Sequence, residues 1–197
     1  MVKFYLILGI FFQILVSQIS DGYYLFSPVI SFPEENQLYS TYLMDTSDTI
    51  IHEWVHDKST ASTPYLLPDS TLLRPCKVNP PAFDAGGVGG LLQILSWNND
   101  IVWEYDISSI QETQHHDIEP LPNGNILVVA WDRRTQAEAL AAGKASHTGD
   151  LWSEKIIEIK PIYPDSCEIV WEWKLWDHLV QDYDSELNNY GNISSSH

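Results

Sequence analysis

Ile101-Val102-Trp103-Glu104-Tyr105 aligns without gaps with Ile50-Ile51-His52-Glu53-Trp54 and with Ile169-Val170-Trp171-Glu172-Trp173. Each copy leads from a β-branched pair into a glutamate flanked by aromatic residues, a composition that suits a strand rather than a helix. A second element recurs beside it. Tyr65-Leu66-Leu67-Pro68-Asp69-Ser70-Thr71-Leu72-Leu73 matches Glu119-Pro120-Leu121-Pro122-Asn123-Gly124-Asn125-Ile126-Leu127 around a shared Pro-turn-apolar core. Pro68 and Pro122 are 54 residues apart, His52 and Trp103 are 51, and Trp103 and Trp171 are 68. The excess in the last interval is assigned to residues 135–151. They hold the one helix-like stretch, Thr135 to Lys144, which Gly143 ends.

Turn chemistry separates the apolar runs. Asn123-Gly124 predicts a tight hairpin with both residues at positive φ, and Asn98-Asn99-Asp100 predicts a similar turn. A unit of about 50 residues built from three or four short antiparallel strands has the size of a propeller blade. A β-sandwich is the competing fold. Blades are expected over residues 38–77 and 91–132, with a third begun at 155 and running to 197. A propeller needs at least four blades. The chain therefore reads as all-β, a partial β-propeller of two to two and a half blades, with a short helical insertion near 135–144.

The first 20 residues read as a signal peptide: Lys3 precedes an apolar run over residues 4–16, and Ser17 and Ser20 follow. That run is short for a bilayer span, so the expected product is secreted or periplasmic, without an integral anchor, and folds over residues 21–197. Of 10 basic and 27 acidic residues only Lys3 leaves with the leader, so the balance moves from −17 to −18. Such a surface repels phosphate backbones, and nucleic acid is excluded as a partner. Cys76 and Cys167 match no metal motif, and a bridge between them is left open by the sequence.

His115-His116-Asp117 carries the best chemical signal. Histidine exchanges protons near neutral pH, and an adjacent carboxylate can orient it. Alternation along an extended strand predicts that the two imidazoles face opposite ways. The competing reading is a polar strand end that caps backbone groups. No zinc-type spacing links the histidines. Arg133-Arg134 is the only pair of adjacent cations; it reads as an anion site or as a solvated loop. Trp171 and Trp173 share a strand face and read as packing between blades, whereas Trp176 and His178 reach toward a rim. The run Gly86-Gly87-Val88-Gly89-Gly90 lacks the lysine of a phosphate loop and reads as a flexible connector. Asn192-Ile193-Ser194 is an N-glycosylation pattern.

The string His115-His116-Asp117-Ile118-Glu119-Pro120-Leu121-Pro122-Asn123-Gly124-Asn125 resembles the secreted arylsulfotransferase family. Residues 89–106 before it, and residues 150–161 and 169–184 after it, add to the likeness. The resemblance implies a six-bladed β-propeller that moves a sulfuryl group from an aryl sulfate to a phenolic acceptor, through a sulfated histidine and without a cofactor. It places His115 and His116 in the channel, with Asp117 as orienting partner and His178 as a further candidate. It also implies that the sulfated histidine and its arginine belong to later blades, which makes this chain an N-terminal fragment, inactive alone. The alternative function is a secreted, non-catalytic propeller that binds or scaffolds.

Overall fold

The computed structural model describes residues 22–30, 33–79, 81, 83 and 86–193. The leader expected over residues 1–20 lies outside them. The described chain is all-β. Strands β1 (Tyr23–Phe26), β2 (Tyr39–Asp45) and β3 (Ile50–His56) form one antiparallel sheet. A second contains β4 (Tyr65–Leu66), β5 (Leu72–Lys77), β6 (Gly90–Leu95) and β7 (Ile101–Asp106). A third contains β8 (Glu112–Pro120), β9 (Ile126–Arg134), β10 (Leu151–Ile162) and β11 (Ser166–Lys174). Within each sheet every strand pairs with its sequence neighbours. Among the described residues no helix is long and apolar enough to cross a membrane.

The sheets lie out of phase with the spans expected from sequence. Those spans ended one unit at Lys77 and opened the next at Leu91, yet β5 and β6 pair across that gap, from Leu72–Leu95 to Lys77–Gly90. The glycine-rich run is thus internal to a sheet, and the breaks between sheets fall before β4 and before β8. The repeat itself holds at the level of strand register. Thr60–Cys76, Tyr65–Leu73 and Leu66–Leu72 recur 54 positions later as Gln114–Ala130, Glu119–Leu127 and Pro120–Ile126. Leu72–Leu95 recurs as Ile126–Ile159, an offset of 54 on one strand and 64 on the other, so ten residues enter between β9 and β10. Ile94–Trp103 recurs as Glu158–Trp171, which places four more in the β10–β11 hairpin. The excess is divided between two connections rather than confined to residues 135–151. Within the first of them lies helix α1 (Gln136–Ala141), started by a reciprocal capping box between Thr135 and Glu138.

The Ile-Val-Trp-Glu alignment corresponds to a shared β-bulge. Ile51, Val102 and Val170 are each the extra residue between two paired neighbours. The hairpin loops repeat as well. Residues 45–49, 67–71, 96–100 and 121–125 close with the same two bonds: the first N–H donates to the fifth carbonyl, and the fourth N–H donates to the first. The fourth residue of each is left-handed: Asp48 at φ 61°, Ser70 at 68°, Asn99 at 72° and Gly124 at 83°. Only Gly124 of the Asn123-Gly124 pair has positive φ, so the loop is the longer, bulged hairpin and not the two-residue form expected from sequence.

Sheets one and two meet through Leu43, Trp54, Leu72 and Leu95. Sheets two and three bury a larger set, including Leu73, Leu92, Ile94 and Trp103 against Ile126, Val128, Ile157 and Ile159. At each junction an indole bridges the gap. Trp54 Nε1 donates to the Ser96 carbonyl at 3.0 Å, and Trp103 Nε1 donates to the Ser166 carbonyl at 2.8 Å. The first junction is the more polar. Arg74, Cys76 and Gln93 occupy the positions held by Val128, Ala130 and Ile157 in the third sheet. Arg74 donates to Gln93 Oε1 at 2.6 Å and to the Lys58 carbonyl at 2.5 Å. His56 Nδ1 donates to the same carbonyl at 3.0 Å, and in the neutral ring its Nε2 accepts from the Thr41 hydroxyl at 3.1 Å. Burial, reinforced by Arg74, lowers the His56 pKa from 6.5 to about 4. Cys76 and Cys167 are both free thiols, which closes the question of a bridge.

Two outcomes follow from this packing. Ser70→Gly should raise stability by up to about 1 kcal/mol in urea titration, by relieving a left-handed side chain, and Gly124→Ala should lower it by a similar amount. Stability should also fall with acid. Between pH 6.5 and about 4 the unfolded chain binds a proton that folded His56 refuses. That is roughly 3 kcal/mol lost as pH drops through this window. His56→Gln should flatten that slope in urea titrations repeated from pH 7 to pH 4.

Candidate active site

Pairing between β8 and β9 jumps from Gln114–Ala130 to Ile118–Val128, so His115, His116 and Asp117 all stand opposite one residue, Val129. His116 takes up the slack with a left-handed backbone, φ 54°. That conformation is uncommon outside glycine, although histidine is among the residues that adopt it, and here it draws support from its surroundings. The glycine run supplies it. His116 N–H donates to the Gly87 carbonyl at 2.8 Å, Val88 bridges to His115, and Gly90 N–H donates to Gln114 Oε1 at 2.9 Å. A Cβ on Gly87 would collide with the His116 ring, and one on Gly89 with the Gln114 amide. The run is a close-fitting floor beneath the bulge, not the flexible connector expected from sequence.

The bulge also breaks the alternation that would have separated the rings. Nδ1 of His115 and Nδ1 of His116 lie 2.7 Å apart, with the rings edge to face. His115 is 3% exposed; its ring stacks on Trp131 at 4.1 Å between centroids, and its Nε2 lies 2.8 Å from Glu154 Oε2. Trp131 and Glu154 are partners across β9 and β10, which fixes both beside the same imidazole. Burial holds the His115 pKa below 6.5 against the opposing pull of Glu154, and His116 depresses it further. Phe83 extends the aromatic wall, edge-on to Trp131 at 5.6 Å and stacked on Trp152 at 4.3 Å.

Proton positions follow from these contacts. Glu154 lies close to His115 Nε2 without the alignment of a hydrogen bond, yet its negative charge favours the proton on that nitrogen and leaves Nδ1 as a lone pair. The contact between the two Nδ1 atoms then needs the proton on Nδ1 of His116. Nε2 of the exposed His116 is left with its lone pair toward solvent. The result is a carboxylate, a buried imidazole and an exposed imidazole in a row, the two rings joined through their Nδ1 atoms.

The other candidates lie elsewhere. Asp117 is exposed and its field falls on Tyr65, whose pKa is pushed up to about 12, chiefly by burial. The carboxylate beside His115 is thus Glu154, whose distance in sequence hides it. His178 ends a short 3-10 helix, Leu175–His178, and stacks on Trp173 at 5.0 Å. That helix follows β11 and packs back against β10, with Trp176 reaching Arg134 at the end of β9, and among the described residues no polar contact joins His178 to His115 or His116. Arg133 lies 2.7 Å from Asp150, and Arg134 pairs with Asp132, its guanidinium 5.0 Å over Trp176. Both arginines of the adjacent pair are therefore engaged by carboxylates.

Comparisons with protein-family models, with curated proteins and with solved structures find no match for the chain.

The proton assignment is open to measurement. Long-range 15N–1H spectra at pH 7.5 should show His115 protonated on Nε2 and His116 on Nδ1; the reverse pattern would refute the assignment. Glu154→Gln removes the charge that raises the His115 pKa, so that pKa should fall further in an NMR titration.

Proposed function

We propose that the three sheets are blades of a β-propeller and that His115 and His116 belong to a sulfuryl-transfer site of arylsulfotransferase type. The observation that carries the reading is the 2.7 Å contact that commits both Nδ1 atoms and leaves Nε2 of the exposed His116 uncommitted. In this reading Nε2 attacks the sulfur of an aryl sulfate, and the bond from sulfur to the aryl oxygen breaks. The phenolate leaves and takes a proton from solvent. A phenolic acceptor then loses its proton and takes the sulfuryl group from the histidine, restoring the pair. Splitting the transfer in two predicts ping-pong kinetics. Attack by Nε2 makes the His116 ring cationic and lets its Nδ1 proton shift to His115, where Glu154 offsets the charge. That proton returns when the sulfuryl group leaves and the acceptor's proton goes to solvent. The Trp131, Phe83 and Trp152 wall offers the donor ring a stacking face. The resemblance of residues 115–125 to that family supports the reaction class and a channel position for the pair. The choice of His116 as nucleophile rests on the geometry and departs from the later-blade histidine that the resemblance implies. The signal-peptide pattern fits a site outside the cytoplasm.

One observation favours a second reading, an aromatic-binding module without turnover. Arg133 and Arg134 are both held by carboxylates, so neither stands ready for the sulfuryl oxygens.

The test is the full-length protein with 4-nitrophenyl sulfate and a phenol. Transfer is expected, with His116→Asn lowering the rate about 100-fold or more and His115→Gln less. Rates unchanged in both variants would refute the catalytic assignment. Saturable quenching of tryptophan fluorescence by the donor with no product formed would establish the binding module instead.

A further inference from the structure

The residues that enter between β9 and β10 have no counterpart in the second sheet, and they build more than a longer loop. Helix α1, the start of β10, the 3-10 helix and the segment after it enclose a cavity of about 340 Å³. Leu151, Trp152, Leu175, Trp176, Leu179 and Val180 form its apolar wall, and Ala142 at the helix end leaves the space open. The enclosing segments are bonded to one another. Asn189 Nδ2 donates to the Ala142 carbonyl at 2.8 Å, and a Cβ on Gly143 would meet the Gln181 side chain. Gln181 N–H donates to the Asn189 carbonyl at 3.0 Å, and Gly191 N–H donates to the Gln181 carbonyl at 2.8 Å, which closes that segment on itself. Arg134 lies over the Trp176 ring and holds it in place. The cavity is thus closed by elements of this chain and is not a sheet face awaiting a neighbour.

No lining residue is acidic, although the chain holds 27 acidic residues. Lys144 is the one charged residue of the lining; it is exposed and makes no ion pair among the described residues. The polar groups beside it are engaged within the protein. Ser153 Oγ donates to the Asp132 carbonyl, and Gln181 Nε2 donates to the Asp184 carbonyl and to Asn189 Oδ1. Lys144 is left as the uncommitted charged donor.

We infer that this cavity binds a small aromatic anion, a one- or two-ring sulfonate, sulfate or carboxylate, at a site distinct from the histidine pair. Its volume lies at the lower end of the range of ligand sites, roughly 300–1,000 Å³, so it admits a compact ring system and not a peptide or a lipid chain. Two indoles favour a flat aromatic guest that offers its face or edge to theirs. Lys144 selects the sign of its charge. A chain of charge −17 repels anions over most of its surface, and a free ammonium beside a wall without carboxylates reverses that locally. Trp152 alone is shared with the aromatic wall beside His115, through its stack on Phe83. The site stands whether or not the histidine pair transfers sulfuryl groups.

Titration calorimetry of the full chain with naphthalene-2-sulfonate tests the assignment. One saturable site is expected, weakened by added salt. Lys144→Gln should lower the affinity about threefold or more. The uncharged probe 2-naphthalenemethanol should bind the wild type and that variant alike. Ala142→Leu fills the cavity and should abolish binding, whereas Phe83→Ala strips the wall beside His115 and should leave binding in place. If circular dichroism shows Ala142→Leu to be misfolded, the comparison of the two probes on Lys144→Gln, an exposed position, decides the matter. A wild-type chain without a saturable site would overturn the inference, as would an affinity for the sulfonate indifferent to Lys144→Gln. Binding lost in Phe83→Ala and kept in Ala142→Leu would also overturn it, because the probe would then sit on the wall.

Discussion

An indole sealed between two sheets must still find an acceptor for its N–H, because an unpaired donor there forfeits a solvated hydrogen bond without replacement. Trp54 and Trp103 both meet that demand with a carbonyl in the hairpin of the following sheet. The requirement does more than apolar contact can. Leucine and isoleucine faces slide over one another at little cost, but a 2.8–3.0 Å bond to one carbonyl fixes where along its strands each sheet must sit. The bulges at Ile51, Val102 and Val170 belong to the same device, since a bulge twists the strand locally and re-aims the side chain that follows it. Stacking order, hairpin position and bulge position are thus one linked choice made in each sheet.

The histidine pair depends on that stacking. Its floor is the residue 86–90 segment, which leads into β6 of the second sheet, while its carboxylate and its tryptophan come from β10 and β9 of the third. The arrangement therefore exists only while the two sheets are docked. The left-handed conformation of His116, unfavourable on its own, is held by a backbone bond to Gly87 and by the absence of a side chain there.

Much of the strand content was legible in the sequence. Three aligned pentapeptides marked three bulged strands, and Thr135 to Lys144 marked the helix, because propensity and turn residues act locally. Sheet boundaries were not. Lys77 to Leu91 is rich in glycine and proline and looks like a break, and nothing local reveals that β5 and β6 pair across it. The site was half legible for the same reason. His115 and His116 announce themselves as neighbours, but Glu154 enters only through the register of β9 with β10, and Asp117 is set aside by a bulge that reverses strand alternation. Gly87 was misjudged because a glycine required for close approach and a glycine in a loose linker look alike until the ring above it is placed.

The four hairpins show what is repeated. Their fourth residues are aspartate, serine, asparagine and glycine, and their first residues are aspartate, leucine, serine and leucine, yet the bonds and the sign of φ are the same. The inherited unit is a backbone torsion rather than a residue. Side chains at that position differ by about 1 kcal/mol in how well they tolerate it. Exchanges among them change how firmly a loop holds while leaving its shape alone. Such a loop is free to drift in sequence, each step a small adjustment of stability, until the resemblance between copies survives only in geometry.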